Sequence, residues 1–199
     1  YTDFDILVFD NNSNENLDKL DNFKGTKLIG NKENLGLTGG VNKSLNYIKN
    51  KYVLLLNPDI EIDLSAVEEL LTLIQDDEKI AFVGGAIYNF KKRSEVNAFG
   101  GKINFFTGIA KTLKKEKRIR ELKFGEYCDA CILIFNREIF QKLGGYDERF
   151  FMYVETEDLI LRAMKENYKV LINPKAKIWH KVYGSSGGKK SKFAVYYLT

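Results

Sequence analysis

Cysteine and histidine are scarce in this chain: two cysteines and one histidine occur in 199 residues. Cys128 and Cys131 have the CxxC spacing of redox and zinc motifs, but no second CxxC exists and only His180 could add an imidazole. Because both thiols lie in the apolar stretch YCDACILIF, we expect them to be buried and unbridged. Free thiols are compatible with a reducing cytoplasm.

Membrane-length apolar runs, repeats and low-complexity segments are also missing. No run approaches the ~20 apolar residues that a transmembrane helix needs. The composition, with 44% hydrophobic and 13% aromatic residues, is typical of a globular protein with a substantial core. We therefore predict a single domain over residues 1–199.

Positive charge is concentrated in one stretch. The formal net charge is +4, and lysine and arginine outnumber glutamate in residues 111–123, KTLKKEKRIRELK. Such a run is usually a solvated face or a loop, although it could also meet an anionic membrane surface. No nucleic-acid-binding motif accompanies it, so we expect no nucleic-acid partner.

Strand-like and helix-like segments alternate along the first ninety residues. The apolar runs predict strands at 4–9, 27–30, 52–56 and 81–88, and the intervening segments predict helices at 13–20, 41–48 and 65–75. Ser65 and Glu68 have the spacing of a capping box at the start of the last helix. This alternation is the signature of a doubly wound α/β sheet.

The pattern changes in the second half of the chain. Residues 89–125 predict an excursion from the sheet, a hairpin turning at Gly100-Gly101 followed by the basic run. Beyond it we predict a strand at 127–135, helices at 137–143 and from Thr156, and short strands at 169–172 and 176–179.

One carboxylate stands at the end of a buried strand. The apolar run Tyr52–Leu56 ends in Asn57-Pro58-Asp59, and because proline cannot donate to a sheet ladder, the strand must stop there. Asp59 is thereby placed at the carboxyl end of a central strand, where open α/β sheets bind ligands. It could hold a divalent metal or a sugar hydroxyl, or merely cap the turn.

Two further segments carry candidate chemistry. Residues 31–50 combine a glycine-rich first half with a helix-like second half, an arrangement that can bind phosphate. The segment matches neither a Walker loop nor GxGxxG, so a plain loop remains the alternative. Glu155, Glu157 and Asp158 crowd the first turn of a predicted helix, where they could complement the helix dipole or supply a general base.

Five segments, in order, resemble family 2 glycosyltransferases of the GT-A fold, close to their rhamnosyltransferase-like branch. They are FDILVFDNNS, NKENLGLTGGVNKS, LLLNPDIEI, LGGYDERFFMYVETEDLILR and IWHKVYGSSGG, and they extend from residue 4 to 188. The resemblance implies an α/β, Rossmann-like, mostly parallel sheet flanked by helices. It also implies an inverting, metal-dependent hexosyltransferase that uses a UDP- or dTDP-linked sugar and a hydroxyl acceptor in polysaccharide, lipid-linked or surface glycan synthesis.

The resemblance also implies roles for particular residues. Asp10 would contact the base or ribose of the donor, and Asn34, Gly39 and Asn42 would line the nucleotide pocket. Asn57 and Asp59 match the ends of the DxD motif, and Asp59 with His180 would hold Mg or Mn.

Assignment of the general base is less direct. Thr156 stands where many relatives carry their acidic base, so Glu155 ranks first for that role and Glu157 second. Asp158 matches a helix aspartate that orients its neighbours.

One departure concerns the start of the chain. Relatives begin with a further strand and helix, and this chain begins at what resembles their second strand, so the resemblance implies that the first strand and helix are lacking. Together with Thr156, this keeps open a catalytically silent GT-A domain that binds a nucleotide sugar or a partner protein, and a nucleotidyltransferase as a third possibility. The expected location is the cytoplasm, with peripheral association at the inner face of the membrane as an open alternative.

Overall fold

The computed structural model of the protein describes residues 4–13, 16–18, 20, 23 and 25–181. The chain divides into two compact units, Tyr1–Asn50 with Tyr146–Glu155, and Lys51–Gly145 with Thr156–Thr199. The strands are β1 (Ile6–Asp10), β2 (Thr26–Gly30), β3 (Tyr52–Leu56), β4 (Ile60–Ile62), β5 (Ile80–Asn89), β6 (Val96–Ala98), β7 (Gly101–Ile103), β8 (Ala110–Thr112), β9 (Arg120–Glu121), β10 (Glu126–Tyr127), β11 (Ile132–Asn136) and β12 (Lys169–His180). The helices are α1 (Gly36–Ser44), α2 (Ala66–Asp76), α3 (Arg137–Lys142) and α4 (Glu155–Lys165).

The first unit contains a parallel pair of strands and a glycine-rich helix. β1 and β2 pair in register from Ile6 opposite Thr26 to Asp10 opposite Gly30. Helix α1 begins at Gly36, so the loop predicted for the glycine-rich half is too long. Gly39 lies inside the helix, where a Cβ would come within 2.8 Å of the Leu35 Cβ. The helix predicted at 13–20 includes residues outside the described ones.

The second unit is built on a seven-stranded mixed sheet. Its order is β3-β11-β5-β12-β4, with β6 paired to β5 and β9 paired to β12. β5 and β12 run parallel, whereas β11 is antiparallel to both β3 and β5. Helix α2 packs its apolar face, Ala66, Leu70 and Ile74, into the core of this unit. Burying each of the larger two side chains contributes about 1.5–3 kcal/mol. The predicted α/β class is confirmed. The sheet of this unit is mixed, with β5 and β12 as the one parallel pair among its described strands, and β3, predicted as a central strand, lies at one end of the order.

A small antiparallel sheet, β10-β7-β8, accounts for the predicted excursion. The hairpin is β7–β8 and turns at 104–109, so the prediction of a turn at Gly100-Gly101 is wrong. Gly100 has a φ of +95°, and the chain passes there from β6, which pairs with β5, into the small sheet. The Gly100-Gly101 pair therefore marks the place where the chain changes from one sheet to the other, and not the turn of a hairpin.

Two other local predictions need correction. Ser65 makes no capping hydrogen bond at α2. Instead, Oδ1 of Asp63 accepts bonds from the Ser65 backbone N–H at 3.0 Å and its hydroxyl at 2.7 Å. The strands predicted at 169–172 and 176–179 form one strand, β12, with a register shift between Ile172 and Lys177.

Both cysteines are free, as predicted. Cys128 is buried and Cys131 is partly buried. Desolvation by burial raises the pKa of both thiols well above the ordinary value, and thiols that stay protonated are poor nucleophiles. A redox role for the CxxC pair is therefore disfavoured. None of the helices in the described part of the chain is long and apolar enough to cross a membrane.

Candidate active site

The pairing of β4 with β12 brings Asp59 and His180 together. Ile60 lies opposite His180 in the antiparallel register, and the Lys181 N–H donates to the Asp59 carbonyl at 3.0 Å. Oδ1 of Asp59 then lies 3.1 Å from Nε2 of His180. The two side chains are only 11% and 17% exposed. This geometry agrees with the prediction that Asp59 and His180 hold one metal ion together. Metal binding itself stays a prediction.

The two side chains suit a divalent cation whose remaining coordination positions are filled by a bound substrate and water. A carboxylate oxygen and an imidazole nitrogen are both donors for Mn²⁺ or Mg²⁺. Among the residues that the structure describes, no group of three or more His, Cys, Asp or Glu side chains could hold a metal. Mg²⁺ is commonly bound by one or two carboxylates together with substrate phosphates and water. The donor set therefore fits an ion that arrives with a phosphate-bearing ligand.

Asn57, the other predicted position of the DxD motif, has a different partner. Its Nδ2 lies 3.3 Å from the sulfur of Cys131, just before β11. This contact ties the turn after β3 to the neighbouring strand. Asn57 thus contacts the segment before β11, and its role as one end of the DxD motif stays a prediction.

A cavity of about 320 Å³ lies against His180 and is lined also by Asn89, Phe90, Lys91 and Lys181. Nζ of Lys181 lies 5.1 Å from the centroid of the Phe90 ring. The two lysines give this cavity positive charge, which favours anionic ligand oxygens. Neither lysine was predicted from the sequence, although Lys181 directly follows the candidate metal ligand.

In the first unit, Asp10 is the last residue of β1, and Asn34 stands in the loop that follows β2. Oδ1 of Asp10 accepts a bond from the Ser13 N–H at 3.0 Å. Oδ1 of Asn34 accepts bonds from the Asn11 amide at 3.1 Å and from the Gly36 N–H at 2.9 Å. Asn11, which was not among the predicted site residues, connects the end of β1 to the start of α1 through both its amide groups.

Helix α1 holds the segment Tyr146–Glu155 by polar contacts. The Asn42 amide donates to the Tyr146 carbonyl and accepts from the Tyr146 N–H, both at 2.9 Å. The buried Thr38 hydroxyl donates to the Phe150 carbonyl, and a Cβ on Gly36 would lie 2.2 Å from the Phe151 carbonyl oxygen. Gly36 and Asn42 therefore fix the backbone that leads to Glu155.

We expect Asn42→Ala to destabilise the first unit by about 2 kcal/mol, because it leaves two backbone groups of the buried Tyr146 without these bonds. Hydrogen exchange followed by mass spectrometry should show faster exchange in residues 36–44 and 146–155. Asn31→Ala is the matched control, since the Asn31 side-chain bonds are solvent-exposed. Equal exchange in both variants would contradict the anchoring role.

The backbone immediately before α4 is strained. Tyr153 and Val154 have φ values of +72° and +71°, and positive φ is a genuine outlier for a β-branched residue. Such strain persists only where the surroundings enforce it, and it concentrates at functional sites. Glu155 follows directly and is 4% exposed, so its carboxylate is held in a defined place.

Asp158 is held by an ion pair within its helix. Its Oδ2 accepts from Nε of Arg162 at 2.8 Å. Arg162 also donates to the carbonyls of Leu143 at 2.6 Å and Gly145 at 2.8 Å, which anchors α4 to the end of α3. Arg162 was not predicted from the sequence, although its spacing from Asp158 is that of an i, i+4 helix pair. Glu157 is partly buried.

Comparison with known families identifies the chain. The profile described as "Glycosyl transferase family 2" matches residues 1–144. The chain belongs to this family. The sequence-based identification is confirmed, and the segments that carry Asp10, Asn34, Gly39, Asn42, Asn57 and Asp59 all lie inside the matched region.

Curated relatives of this family 2 chain include transferases from archaea and bacteria. It is 25% identical over 170 residues to the low-salt glycan biosynthesis hexosyltransferase Agl10 of Haloferax volcanii, covering 83% of this chain and 55% of that protein. It is 23% identical over 210 residues to N-acetylglucosaminyl-diphospho-decaprenol L-rhamnosyltransferase of Mycobacterium tuberculosis, covering 92% and 68%. It is 27% identical over 150 residues to rhamnosyltransferase WbbL of Escherichia coli, covering 63% and 56%. The chain thus spans about half to two thirds of the length of these relatives.

Solved structures establish the fold. GalNAc-T7 with UDP, GalNAc and Mn²⁺ superposes with a TM-score of 0.71 at 19% identity, over 88% of this chain and 37% of that one. The mannosyltransferase PcManGT from Pyrobaculum calidifontis, in complex with GDP-Man and Mn²⁺, gives 0.65 at 12% identity, over 91% and 48%. The family 2 chain therefore has the GT-A fold.

Proposed function

We propose that this chain is a catalytic domain of an inverting, metal-dependent glycosyltransferase that moves a sugar from a nucleotide-diphosphate donor to a hydroxyl of a glycan acceptor. Family membership supports the reaction class. The observation that carries the proposal is the contact of Asp59 with His180, in the turn that follows β3. A carboxylate and the only histidine of the chain, far apart in sequence, are placed together there with little exposure to solvent.

Asp59 and His180 would hold Mg or Mn in this proposal, with the remaining ligands coming from the diphosphate and water. The bound ion would neutralise the charge that develops on the diphosphate leaving group. The presence of Mn²⁺ with UDP or GDP-Man in two structures of the same fold supports this assignment. Lys181 and Lys91 add positive charge beside His180 and would attract the same phosphates.

The remaining roles fall to residues around α1 and α4. The carboxylate of Asp10 would accept a hydrogen bond from the ribose or base of the donor, with Asn34, Gly39 and Asn42 shaping the nucleotide pocket. Glu155 would take the proton of the acceptor hydroxyl as its oxygen attacks the anomeric carbon. The bond from that carbon to the diphosphate breaks on the opposite face, so the configuration inverts.

The names of the relatives support the acceptor class. One relative is named as acting on an N-acetylglucosaminyl-diphospho-decaprenol, and another is named for glycan biosynthesis. We therefore propose a polysaccharide, lipid-linked or surface glycan as the acceptor. A cytoplasmic location at the inner face of a membrane belongs to the same proposal.

Titration calorimetry of UDP, dTDP and GDP, each with Mn²⁺ and with EDTA, tests the donor site. We expect a Kd on the order of micromolar for one nucleotide with Mn²⁺ and about tenfold or more weaker binding in EDTA. NMR of the product formed from the matching nucleotide sugar should show an inverted anomeric centre. Metal-independent binding would contradict the metal site, and metal-linked binding without transfer to any glycan acceptor would favour the catalytically silent alternative.

A further inference from the structure

Large apolar side chains are exposed together at one end of the small sheet β10-β7-β8. We call this cluster, Phe105, Phe106, Ile109 and Phe124, the aromatic tip. Phe106 is fully exposed, and the other three are each more than half exposed. The rings of Phe105 and Phe124 stack with a centroid distance of 5.6 Å. Clusters of exposed apolar side chains on a folded protein mark interaction surfaces.

Backbone and side-chain hydrogen bonds hold the turn that carries the aromatic tip. Oδ1 of Asn104 accepts a bond from the Phe106 N–H at 2.9 Å, and the Asn104 carbonyl accepts from the Gly108 N–H at 2.8 Å. The Asn104 N–H donates in turn to the Ile109 carbonyl at 2.9 Å. These bonds fix the turn through its backbone and the Asn104 side chain. Phe105 and Phe124 pack on each other, but folding does not explain why the fully exposed Phe106 is apolar.

Exposed cations lie on the hairpin that carries the aromatic tip and in the segment that follows this hairpin. Lys102 of β7 lies directly opposite Lys111 of β8, and like charges in such a pair destabilise a sheet. More exposed basic residues follow in the basic run, residues 111–123: Lys114, Lys115, Lys117, Arg118 and Lys123. None of these cations forms an ion pair with a residue that the structure describes.

The nearby glutamates offset part of this charge. Glu116 and Glu126 both bind the guanidinium of Arg120, the former through Nε and the latter through Nη1 at 2.7 Å. Glu126 also lies opposite Lys102 in the register of β10 with β7, and Lys102 helps to lower the pKa of its carboxyl. The two glutamates together therefore offset Arg120 and Lys102, and the remaining positive charge is carried by the other exposed lysines and Arg118.

We propose that the aromatic tip and the basic run together form a docking surface for an anionic lipid bilayer. Aromatic and branched aliphatic side chains are suited to the boundary between headgroups and acyl chains. Each lysine close to an anionic leaflet adds roughly a fivefold gain in affinity, about 1 kcal/mol. This inference does not depend on the proposed transferase activity.

Other occupants fit the surface less well. Single-stranded nucleic acid is bound in positively charged grooves with stacking platforms, whereas Phe106 and Ile109 lie on an exposed turn, and two of the rings stack on each other. A second copy of the same surface would bring two clusters of lysines together, which opposes association.

Vesicle flotation tests the docking surface. Phosphatidylcholine vesicles with about a third phosphatidylglycerol should bind the protein at low salt, and pure phosphatidylcholine vesicles should bind it much more weakly. Phe106→Ser should reduce binding to the anionic vesicles about tenfold. Leu64→Ser is the matched control, because Leu64 is also fully exposed and lies outside this surface, and it should leave binding unchanged.

The charge contribution is tested separately by a triple Glu substitution at Lys111, Lys114 and Lys115. We expect a loss of roughly a hundredfold or more. The same change at the exposed Lys32, Lys165 and Lys175 is the control with equal net charge. Circular dichroism should show all variants folded. Equal losses in variant and control, binding unaffected by Phe106→Ser, or a dimer that Phe106→Ser dissociates without any vesicle binding would each overturn the proposal.

Discussion

Replacing Asp59 with asparagine is expected to remove the metal dependence of nucleotide binding and to lower kcat/KM by roughly a hundredfold or more. Asparagine keeps the shape of the side chain and a polar atom within hydrogen-bond distance of Nε2 of His180. It loses the negative charge that hard divalent cations require of their ligands. The single imidazole that remains does not supply that charge. Titration calorimetry of the nucleotide in Mn²⁺ and in EDTA measures the first effect, and steady-state transfer measures the second.

Asp63→Asn is the matched control for this substitution. Its Oδ1 accepts bonds from the backbone and hydroxyl of Ser65, and hydrogen bonding from that hydroxyl and backbone lowers the pKa of the Asp63 carboxyl. An asparagine oxygen can accept the same two bonds. We expect Asp63→Asn to leave Mn²⁺-linked binding unchanged. Equal Mn²⁺-linked affinity in Asp59→Asn and in the unmodified protein would show that Asp59 does not hold the metal.

Glu155→Gln is expected to lower kcat by a factor on the order of 10² to 10⁴ with KM nearly unchanged, because general base catalysis contributes about that much. Glutamine preserves the size of the buried side chain and removes its ability to take a proton. The backbone before Glu155 is held in place. Tyr153 and Val154 have positive φ values, and Asn42 binds both backbone groups of Tyr146. Steady-state kinetics with saturating donor and varied acceptor separate kcat from KM.

Glu157→Gln provides the comparison within the same helical turn. If Glu155 is the base, Glu157→Gln should retain activity within about threefold. A large loss in Glu157→Gln with little change in Glu155→Gln would transfer the role of base to Glu157. Nucleotide binding should stay intact in both variants, which distinguishes a catalytic defect from a misfolded protein.

Sequence patterns located most of the secondary structure because the core strands are continuous apolar runs. β5 and β11 were predicted from such runs and are buried over most or all of their length, since a strand covered on both faces has no polar alternation. β3 was predicted from a similar run but is only partly buried. The glycine-rich half of residues 31–50 was predicted to be a loop, but Gly36 and Gly39 belong to α1. They are needed there because a Cβ would collide with Phe151 or Leu35. The predicted capping box at Ser65 is wrong because the Ser65 hydroxyl donates to the Asp63 carboxylate and makes no capping bond to α2. Each error arose where a tertiary contact outweighed a local preference.

The candidate site could be predicted only in pieces. Asp59 and His180 were selected individually, but their contact depends on the β4–β12 register, which no local pattern encodes. The roles of Asn11 and Thr38 also depend on partners distant in the chain, so no local pattern could have selected them. The pairing of Arg162 with Asp158 has the i, i+4 spacing of a helix pair, but its bonds to Leu143 and Gly145 do not follow from local sequence. The aromatic tip depends on where the hairpin turns, and the misplaced turn at Gly100-Gly101 concealed it.

The end of β12 also provides an optical probe. Trp179 is the only tryptophan of the chain and directly precedes His180. Its ring lies 3.8 Å from the Arg93 guanidinium carbon, its Nε1 donates to the Arg93 carbonyl at 3.1 Å, and Arg93 is bound in turn to Glu61. Indole emission therefore originates at one position beside the candidate metal ligands. Binding at this strand end can be followed by fluorescence without any label, and the signal needs no correction for a second indole.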